Sequence, residues 1–129
     1  MNPLLAMTAV AVGGALGSVL RYLVSHWFTQ RLGPAFPWGT FAINVSGAFI
    51  IGVVLQLAVT RAGFNPYVRL FMATGILGGY TTFSAFAYET YLLGANGSSL
   101  QSLAYAGGSV IAGVAAAFAG VVLVRAVHP

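Results

Sequence analysis

Residues 78–86 have the sequence Gly-Gly-Tyr-Thr-Thr-Phe-Ser-Ala-Phe, and they interrupt an apolar segment otherwise suited to one membrane-spanning helix. The stretch places two adjacent glycines and several hydroxyl side chains where lipid favours plain apolar residues. Irregular backbone at membrane depth is tolerated only where it is buried in protein or lines a wet cavity. Polar groups kept there usually mark an ion or substrate path. The stretch therefore predicts a helix broken at mid-membrane and, at the break, a functional site.

The composition around this stretch is that of an all-α membrane protein. Of the 129 residues, 59% are hydrophobic and 5% are charged, whereas soluble domains carry about 25% charged residues. The five basic residues are all arginine, Glu89 is the one acid, and cysteine is absent. Disulfides and thiolate metal sites are thereby excluded. A net charge of +4 without a basic run argues against a nucleic-acid partner.

Four segments are long enough to cross roughly 30 Å of hydrocarbon. They cover about residues 4–30, 38–60, 66–93 and 100–127, so we predict a single transmembrane domain over residues 1–129. The first segment lacks a basic leader and exceeds the usual 7–15 apolar residues of a signal peptide, so we expect it to be retained. Asn65-Pro66 predicts a helix start with a capping side chain and a first-turn proline.

The arginines predict the topology only weakly. Four spans place both termini and the second connection on one side, with Arg61, Arg69 and Arg125, while Arg31 and Arg21 lie toward the other. So small a positive-inside bias permits insertion in both orientations and an antiparallel dimer; the alternative is that the bias suffices for one orientation. Small residues recur every four positions, as in Gly13 and Gly17. Such faces let helices pack closely, and we expect an oligomer.

The polar residues of the spans fall on shared helix faces. Thr40 and Asn44 are four residues apart, as are Tyr105 and Ser109, and Glu89 follows Thr82 by seven. Alternatives remain open for each type of residue. Hydroxyls often bond to their own helix backbone, an asparagine can join two helices, an arginine such as Arg21 can extend to the interface, and phenylalanines often face lipid.

The polar inventory consists mainly of hydrogen-bond donors. A half-helix that begins near Thr82 would point its positive N-terminal end into the membrane, which favours an anion, while the carbonyls that end the first half can coordinate a cation. The ring edges of Phe83 and Phe86 carry partial positive charge. Because Glu89 is the single acid, proton-coupled cation transport is poorly supported. Anion permeation fits these residues better.

The chain resembles the Fluc (CrcB) family of fluoride channels over essentially its whole length. The stretch 78–86 resembles the family's most specific signature, and three weaker blocks accompany it. These are residues 13–17 with Arg21-Tyr22, residues 39–47 (Gly-Thr-Phe-Ala-Ile-Asn-Val-Ser-Gly), and the pair Tyr105 and Ser109. Two positions depart from the commonest signature: Tyr80 stands where an aliphatic residue is usual, and Ala85 where threonine is usual.

The resemblance implies a fold and an activity. It implies a dual-topology, antiparallel homodimer in the bacterial plasma (inner) membrane, with two passive pores that export cytoplasmic fluoride. It also implies a structural sodium ion at the dimer axis, held by the backbone carbonyls of Gly78 and Thr81 from both subunits.

The resemblance further implies the residues of the fluoride pathway. Fluoride would meet the ring edges of Phe83 and Phe86 and the amide of Asn44. Arg21 would attract anions in a vestibule, and Glu89 would lie near the other end of the polar track. Hydroxyls along the track would come from Thr40, Thr82, Ser84, Tyr105 and Ser109.

Two other functions compete with this hypothesis. Small four-helix multidrug exporters need a glutamate in the first helix, and the first segment here contains no acid. A structural subunit without transport would explain the glycine faces but not the broken helix. An enzyme is disfavoured because the sequence offers no plausible nucleophile–base pair or metal-ligand cluster.

Overall fold

The computed structural model describes residues 1–128, and all of the regular structure in that range is helical. Helix α1 spans Pro3–Leu32 and α2 spans Trp38–Thr60. Helix α3 covers residues 66–80 in three consecutive stretches, Pro66–Arg69, Leu70–Ile76 and Leu77–Tyr80. Helix α4 spans Phe83–Ala95 and α5 spans Ser99–Val127.

Four helical segments in residues 1–128 are long and apolar enough to cross a membrane: Pro3–Leu32, Trp38–Thr60, Pro66–Ala95 and Ser99–Val127. The four predicted spans are confirmed, with ends that shift by at most two residues. The predicted start of the third span is also correct. The Asn65 side chain accepts a hydrogen bond of 2.8 Å from the Tyr67 N–H, and Pro66 occupies the first turn.

Contacts between chain ends confirm the predicted arrangement of the termini. The Asn2 N–H donates to the Tyr67 hydroxyl over 2.8 Å, which joins the N-terminus to the start of α3. An Arg61 guanidinium nitrogen lies 3.3 Å from His128 Nε2, which joins the end of α2 to the C-terminus. Both termini and the α2–α3 connection therefore share one end of the bundle.

The break in the third span is shorter than the sequence pattern indicates. Only Thr81 and Thr82 leave the helix, with extended backbone at φ/ψ of −78°/155° and −149°/118°. The prediction that the glycine pair belongs to the break is wrong, because Gly78 and Gly79 lie in the last helical turn of α3. Their lack of side chains serves packing instead: a Cβ on Gly79 would collide with the Gly14 carbonyl of α1.

Helix α3 also contains a π-helical stretch at Leu70–Ile76 that the sequence pattern did not predict. Its backbone packs directly on α1, where a Cβ on Gly13 would collide with the Phe71 carbonyl and one on Gly17 with the Ile76 carbonyl. Segments of π-helix are rare in proteins overall, and those that occur are frequently found at functional sites. Close packing on the α1 glycines is the tertiary contact that accompanies this wider turn.

The small-residue faces of α2 and α5 are only partly used within one chain. Gly52 lies against the Ala117 backbone and Gly120 against the Phe49 backbone, as the four-residue spacing predicts. By contrast, a Cβ added at Gly107, Gly108 or Gly113 would have no atom of residues 1–128 within 4 Å beyond the adjacent turns of its own helix. One part of α5 therefore packs on α2, and another part presents glycine backbone to the surroundings.

Candidate functional site

The break in the third span is held by the side chain of Asn44 on α2. Asn44 Nδ2 donates to the Thr82 carbonyl over 3.0 Å, and the Thr82 N–H donates to Asn44 Oδ1 over 2.8 Å. The amide thus pairs with the N–H and the carbonyl of a residue that has left the helix, and unpaired backbone groups at membrane depth are costly. Asn44 therefore joins two helices at a point where backbone groups need partners.

Helix α4 begins immediately after this pairing. Thr82 is its N-cap, and its hydroxyl oxygen accepts a hydrogen bond of 3.2 Å from the Ala85 N–H. The first N–H groups of any α-helix lack partners within the helix, and together they form the positive end of its dipole. The structure confirms the predicted half-helix, with its positive end directed into the membrane-spanning part of the fold.

A cavity of about 270 Å³ lies beside this N-terminus, between α2, α4 and α5. We call it the central cavity, and its lining residues are Asn44, Thr81, Thr82, Phe83, Phe86, Ser109 and Val110. Ser109 Oγ is buried and has no hydrogen-bond partner within the described residues. Asn44 Nδ2 makes one hydrogen bond there, which leaves its second N–H to donate. The central cavity thus holds spare donors, and an unpaired buried hydroxyl is costly.

Aromatic rings form the apolar part of the central cavity. The Phe83 and Phe86 ring centroids lie 5.7 Å apart. Phe86 and Tyr105 pack edge to face, with ring centroids 5.2 Å apart. Phe86 is partly buried, whereas Phe83 is 79% exposed in the single chain. The predicted pair of phenylalanines is therefore together, with one ring inside the fold and one projecting from it.

A second polar group, the carboxyl cluster, consists of Thr40, Glu89 and Tyr105. The Thr40 hydroxyl donates to Glu89 Oε1 and the Tyr105 hydroxyl to Glu89 Oε2, each over 2.7 Å. Tyr105 is only 1% exposed. The resemblance implied hydroxyls along a polar track with Glu89 near its other end, and in the structure the Glu89 carboxyl group accepts hydrogen bonds from both of these hydroxyls.

The carboxyl cluster opens toward the end of the bundle that carries the α1–α2 connection. A further cavity of about 230 Å³ there is lined by Thr40 and Glu89 together with the ends of α1 and α4 and residues 33–37. Phe36 from that connection packs on Tyr105 with ring centroids 5.4 Å apart. Two members of the carboxyl cluster, Thr40 and Glu89, thus lie in the wall of this outer cavity.

The central cavity and the carboxyl cluster form two levels of one track. Thr40 and Asn44 on α2 are four residues apart, as are Tyr105 and Ser109 on α5, which corresponds to about 6 Å along a helix. Phe86 lies between the levels on α4, after Thr82 and before Glu89. The shared faces predicted for α2 and α5 are thus brought against one another around α4.

The last turn of α3 supplies carbonyl groups on the other side of the break. The Thr82 N–H, which would bond to Gly78 in a continuous helix, bonds to Asn44 instead. The Thr81 N–H and hydroxyl both donate to the Leu77 carbonyl, over 2.9 and 2.8 Å. Within residues 1–128 the Gly78 carbonyl therefore lacks its helical partner, and Gly78 is exposed.

Not every predicted residue joins this track. Ser84 lies near it, with its Oγ 3.4 Å from Thr82 Oγ1, but Ser84 is exposed in the single chain. Arg21 is half-buried on α1, and among the described residues it lines neither cavity and forms no hydrogen bond through its side chain.

The sequence pattern gave no indication of the hydrogen bond between Tyr80 and Ser46 or of the position of Phe36. The uncommon Tyr80 was the available signal for the first of these.

Replacement of Asn44 by alanine should destabilise the protein. The substitution leaves the Thr82 N–H and carbonyl unpaired, and an unsatisfied buried group costs about 1–3 kcal/mol. Thermal unfolding in detergent should therefore occur at a clearly lower temperature. Thr8→Ala is the matched control, since that hydroxyl bonds only to its own helix at the Leu4 carbonyl. Equal unfolding temperatures for the two variants would contradict the role assigned to Asn44.

Comparison with known proteins identifies the family of the chain. Residues 8–121 match the family model described as CrcB-like protein, Camphor Resistance (CrcB). A fluoride-specific ion channel of Rhizobium meliloti (strain 1021) is 51% identical over 91% of this chain and 94% of its own. A fluoride-specific ion channel of Nitrobacter winogradskyi is 48% identical over 92% and 94%.

A third relative has a similar identity over nearly the whole chain. A fluoride-specific ion channel of Chloroflexus aurantiacus (strain J-10-fl) is 46% identical over 97% of both chains. These relatives are named as ion channels and not as enzymes. With four helices able to span a membrane, the chain is a multi-pass membrane protein, and it belongs to the CrcB family.

Proposed function

We propose that this protein is a fluoride-selective, passive ion channel. The observation that carries the proposal is the buried Ser109 hydroxyl without a partner among the described residues, in a cavity shared with Asn44 and the positive end of α4. Each of these groups can donate a hydrogen bond or offer positive charge, so the central cavity suits an anion. The names of the relatives supply the identity of that anion.

Selectivity for fluoride would follow from replacement of its hydration shell. A pore conducts an ion when its own groups substitute for the lost water and bind it weakly enough to release it. The central cavity offers a hydroxyl, an amide N–H and the partly positive edges of Phe83 and Phe86. A small anion can contact several of these at once, whereas a larger one must stay farther from each. No nucleotide-binding motif is present in the sequence, so flux would be driven by the electrochemical gradient.

The direction of flux would be outward in a bacterial plasma (inner) membrane. Fluoride enters cells as neutral HF and ionises in the less acidic cytoplasm, and an inside-negative potential drives the anion out. Several relatives come from bacteria. The main competing transport function, proton-coupled export of cationic drugs, lacks support, because α1 contains no acidic residue to exchange protons.

We further propose that two copies assemble antiparallel and form two pores. Three features support an assembly: the Phe83 ring is 79% exposed, Ser84 and Gly78 are exposed, and Gly107, Gly108 and Gly113 offer a glycine face uncovered by residues 1–128. The weak arginine asymmetry supports opposite orientations of the two copies. In such a dimer the exposed groups of each break would be covered by the partner.

The backbone carbonyl oxygens at the proposed dimer axis are suitable ligands for a structural sodium ion. Hard cations prefer oxygen ligands, and the Gly78 carbonyl lacks its helical partner because Asn44 takes the Thr82 N–H. The Gly78 and Thr81 carbonyls would hold the ion together with the same groups of the second copy. The ion would neutralise carbonyl dipoles that otherwise face one another, and it would thereby stabilise the paired breaks.

Fluoride efflux from proteoliposomes is the decisive test of the proposed function. Vesicles loaded with potassium fluoride and supplied with a potassium ionophore should release fluoride rapidly, as measured by a fluoride electrode. Vesicles loaded with chloride should release little, since the donors of the central cavity suit the smaller ion. Absence of fluoride release, or chloride release at a comparable rate, would exclude a fluoride-selective channel.

Ser109→Ala should reduce fluoride flux while the protein still assembles. A hydrogen bond to a charged partner contributes about 1.5–3 kcal/mol, so the flux should fall by about tenfold or more. Thr60→Ala is the control, because its hydroxyl bonds to the Gln56 carbonyl of its own helix. Flux of Ser109→Ala at the level of the control would remove the central cavity from the proposed pathway.

The antiparallel dimer can be tested with introduced cysteines, since the chain has none. Ala35 and Ala62 lie exposed in connections at opposite ends of the bundle. When Ala35→Cys and Ala62→Cys variants are co-expressed, a short bifunctional reagent should link one variant to the other. Links confined to identical variants would show parallel pairs and contradict the proposed assembly.

A further inference from the structure

Tyr80, the last residue of α3, makes a cross-helix contact that the proposed pathway does not use. Its side chain is 8% exposed, and its hydroxyl oxygen lies 3.0 Å from Ser46 Oγ on α2. The ring packs in a small buried cluster with Ile43 and Leu77. A buried phenol needs a partner, and Ser46 is that partner.

Ser46 Oγ has a second neighbour, because it lies 3.2 Å from the Ile43 carbonyl of its own helix. A serine hydroxyl has a single proton, so Ser46 donates either to Ile43 or to Tyr80, and either hydroxyl can be the donor between Ser46 and Tyr80. Phenylalanine at position 80 would leave the ring in place and remove only the tyrosine hydroxyl.

The surroundings of Tyr80 tie the last turn of α3 to α2. A Cβ on Gly47 would collide with the Thr81 methyl and lie 3.4 Å from the Tyr80 ring, so Gly47 leaves room for both side chains. Two residues before Ser46, Asn44 holds Thr82, the second residue of the break. Helix α2 thus carries separate contacts: Ser46 meets the last helical turn of α3, and Asn44 meets the break itself.

We propose that Tyr80 is a positioning residue that fixes the last turn of α3 and, with it, the direction of the Gly78 carbonyl. Tyr80 lies in the same turn, two residues after Gly78, so rotation of this turn would redirect that carbonyl. Asn44 bonds the Thr82 N–H, which shares a planar peptide group with the Thr81 carbonyl, so Asn44 holds the Thr81 carbonyl but not the turn before it. This inference rests on the proposed sodium-holding role of the carbonyls.

The test compares Tyr80→Phe and Ser46→Ala with the unmodified protein. The first readout is the sodium concentration that gives half of the sodium-dependent rise in unfolding temperature, with N-methylglucamine as the replacement cation. Loss of one hydrogen bond should raise that concentration about fivefold in either variant. The double variant should be no worse than the more affected single variant, because the two groups form one interaction.

Tyr91→Phe is the matched control, since that tyrosine is 65% exposed and lies outside both cavities. It should leave the sodium half-point unchanged. The second readout is fluoride efflux in saturating sodium, which should recover in Tyr80→Phe to near the unmodified rate. Recovery by sodium is expected of a positioning role and not of a general loss of folding.

Three results would overturn the inference. One is a lower unfolding temperature in Tyr80→Phe with an unchanged sodium half-point, which would make the contact merely structural. Another is an effect of Tyr80→Phe without any effect of Ser46→Ala. The third is an unmodified protein that sodium does not stabilise. By contrast, an unmodified protein with sodium-dependent stability but no fluoride flux would contradict the proposed function and leave the role of Tyr80 standing.

Discussion

The pairing of the Asn44 amide with the backbone N–H and carbonyl of Thr82 is the interaction on which the rest of the site depends. A membrane-spanning helix can be interrupted only if the freed backbone groups find partners inside the protein. Asn44 satisfies the N–H and the carbonyl of one residue at once. The same pairing frees the carbonyl of Gly78 and directs the N-terminus of α4 toward the central cavity. One side chain therefore accounts both for a carbonyl without its helical partner and for the position of a helix N-terminus.

Packing of α1 on α3 provides the frame for this break. Glycines on both helices allow their backbones to approach, with Gly13 and Gly17 on one side and Gly79 on the other. Bulkier residues at these positions would force α1 and α3 apart. The π-helical stretch Leu70–Ile76 lies at the same contact between α1 and α3. Close helix packing, which in lipid depends on small residues, thus determines where the broken helix meets its partners.

The polar track illustrates which parts of a site are predictable from the sequence. The four-residue spacings of Thr40 with Asn44 and of Tyr105 with Ser109 placed each pair on one helix face correctly. Spacing within a helix cannot show which face meets which, because helix rotation and crossing are determined by tertiary packing. The acceptance of both the Thr40 and Tyr105 hydroxyls by Glu89 was therefore visible only in the structure. The assignment of Arg21 to a vestibule stays a prediction.

The sequence by itself determined that the chain crosses the membrane four times, that the third span is broken near Thr82, and that the buried groups are mainly donors. Those properties follow from composition, from apolar length and from local residue preferences. The tertiary structure decided the rest: the break is confined to Thr81 and Thr82, with Gly78 and Gly79 kept in a helical turn against α1. It also left Ser109 without a partner among the described residues and gave Tyr80 one. The physical reason is that hydrogen-bond satisfaction in a membrane depends on which helices lie side by side, and no single segment contains that information.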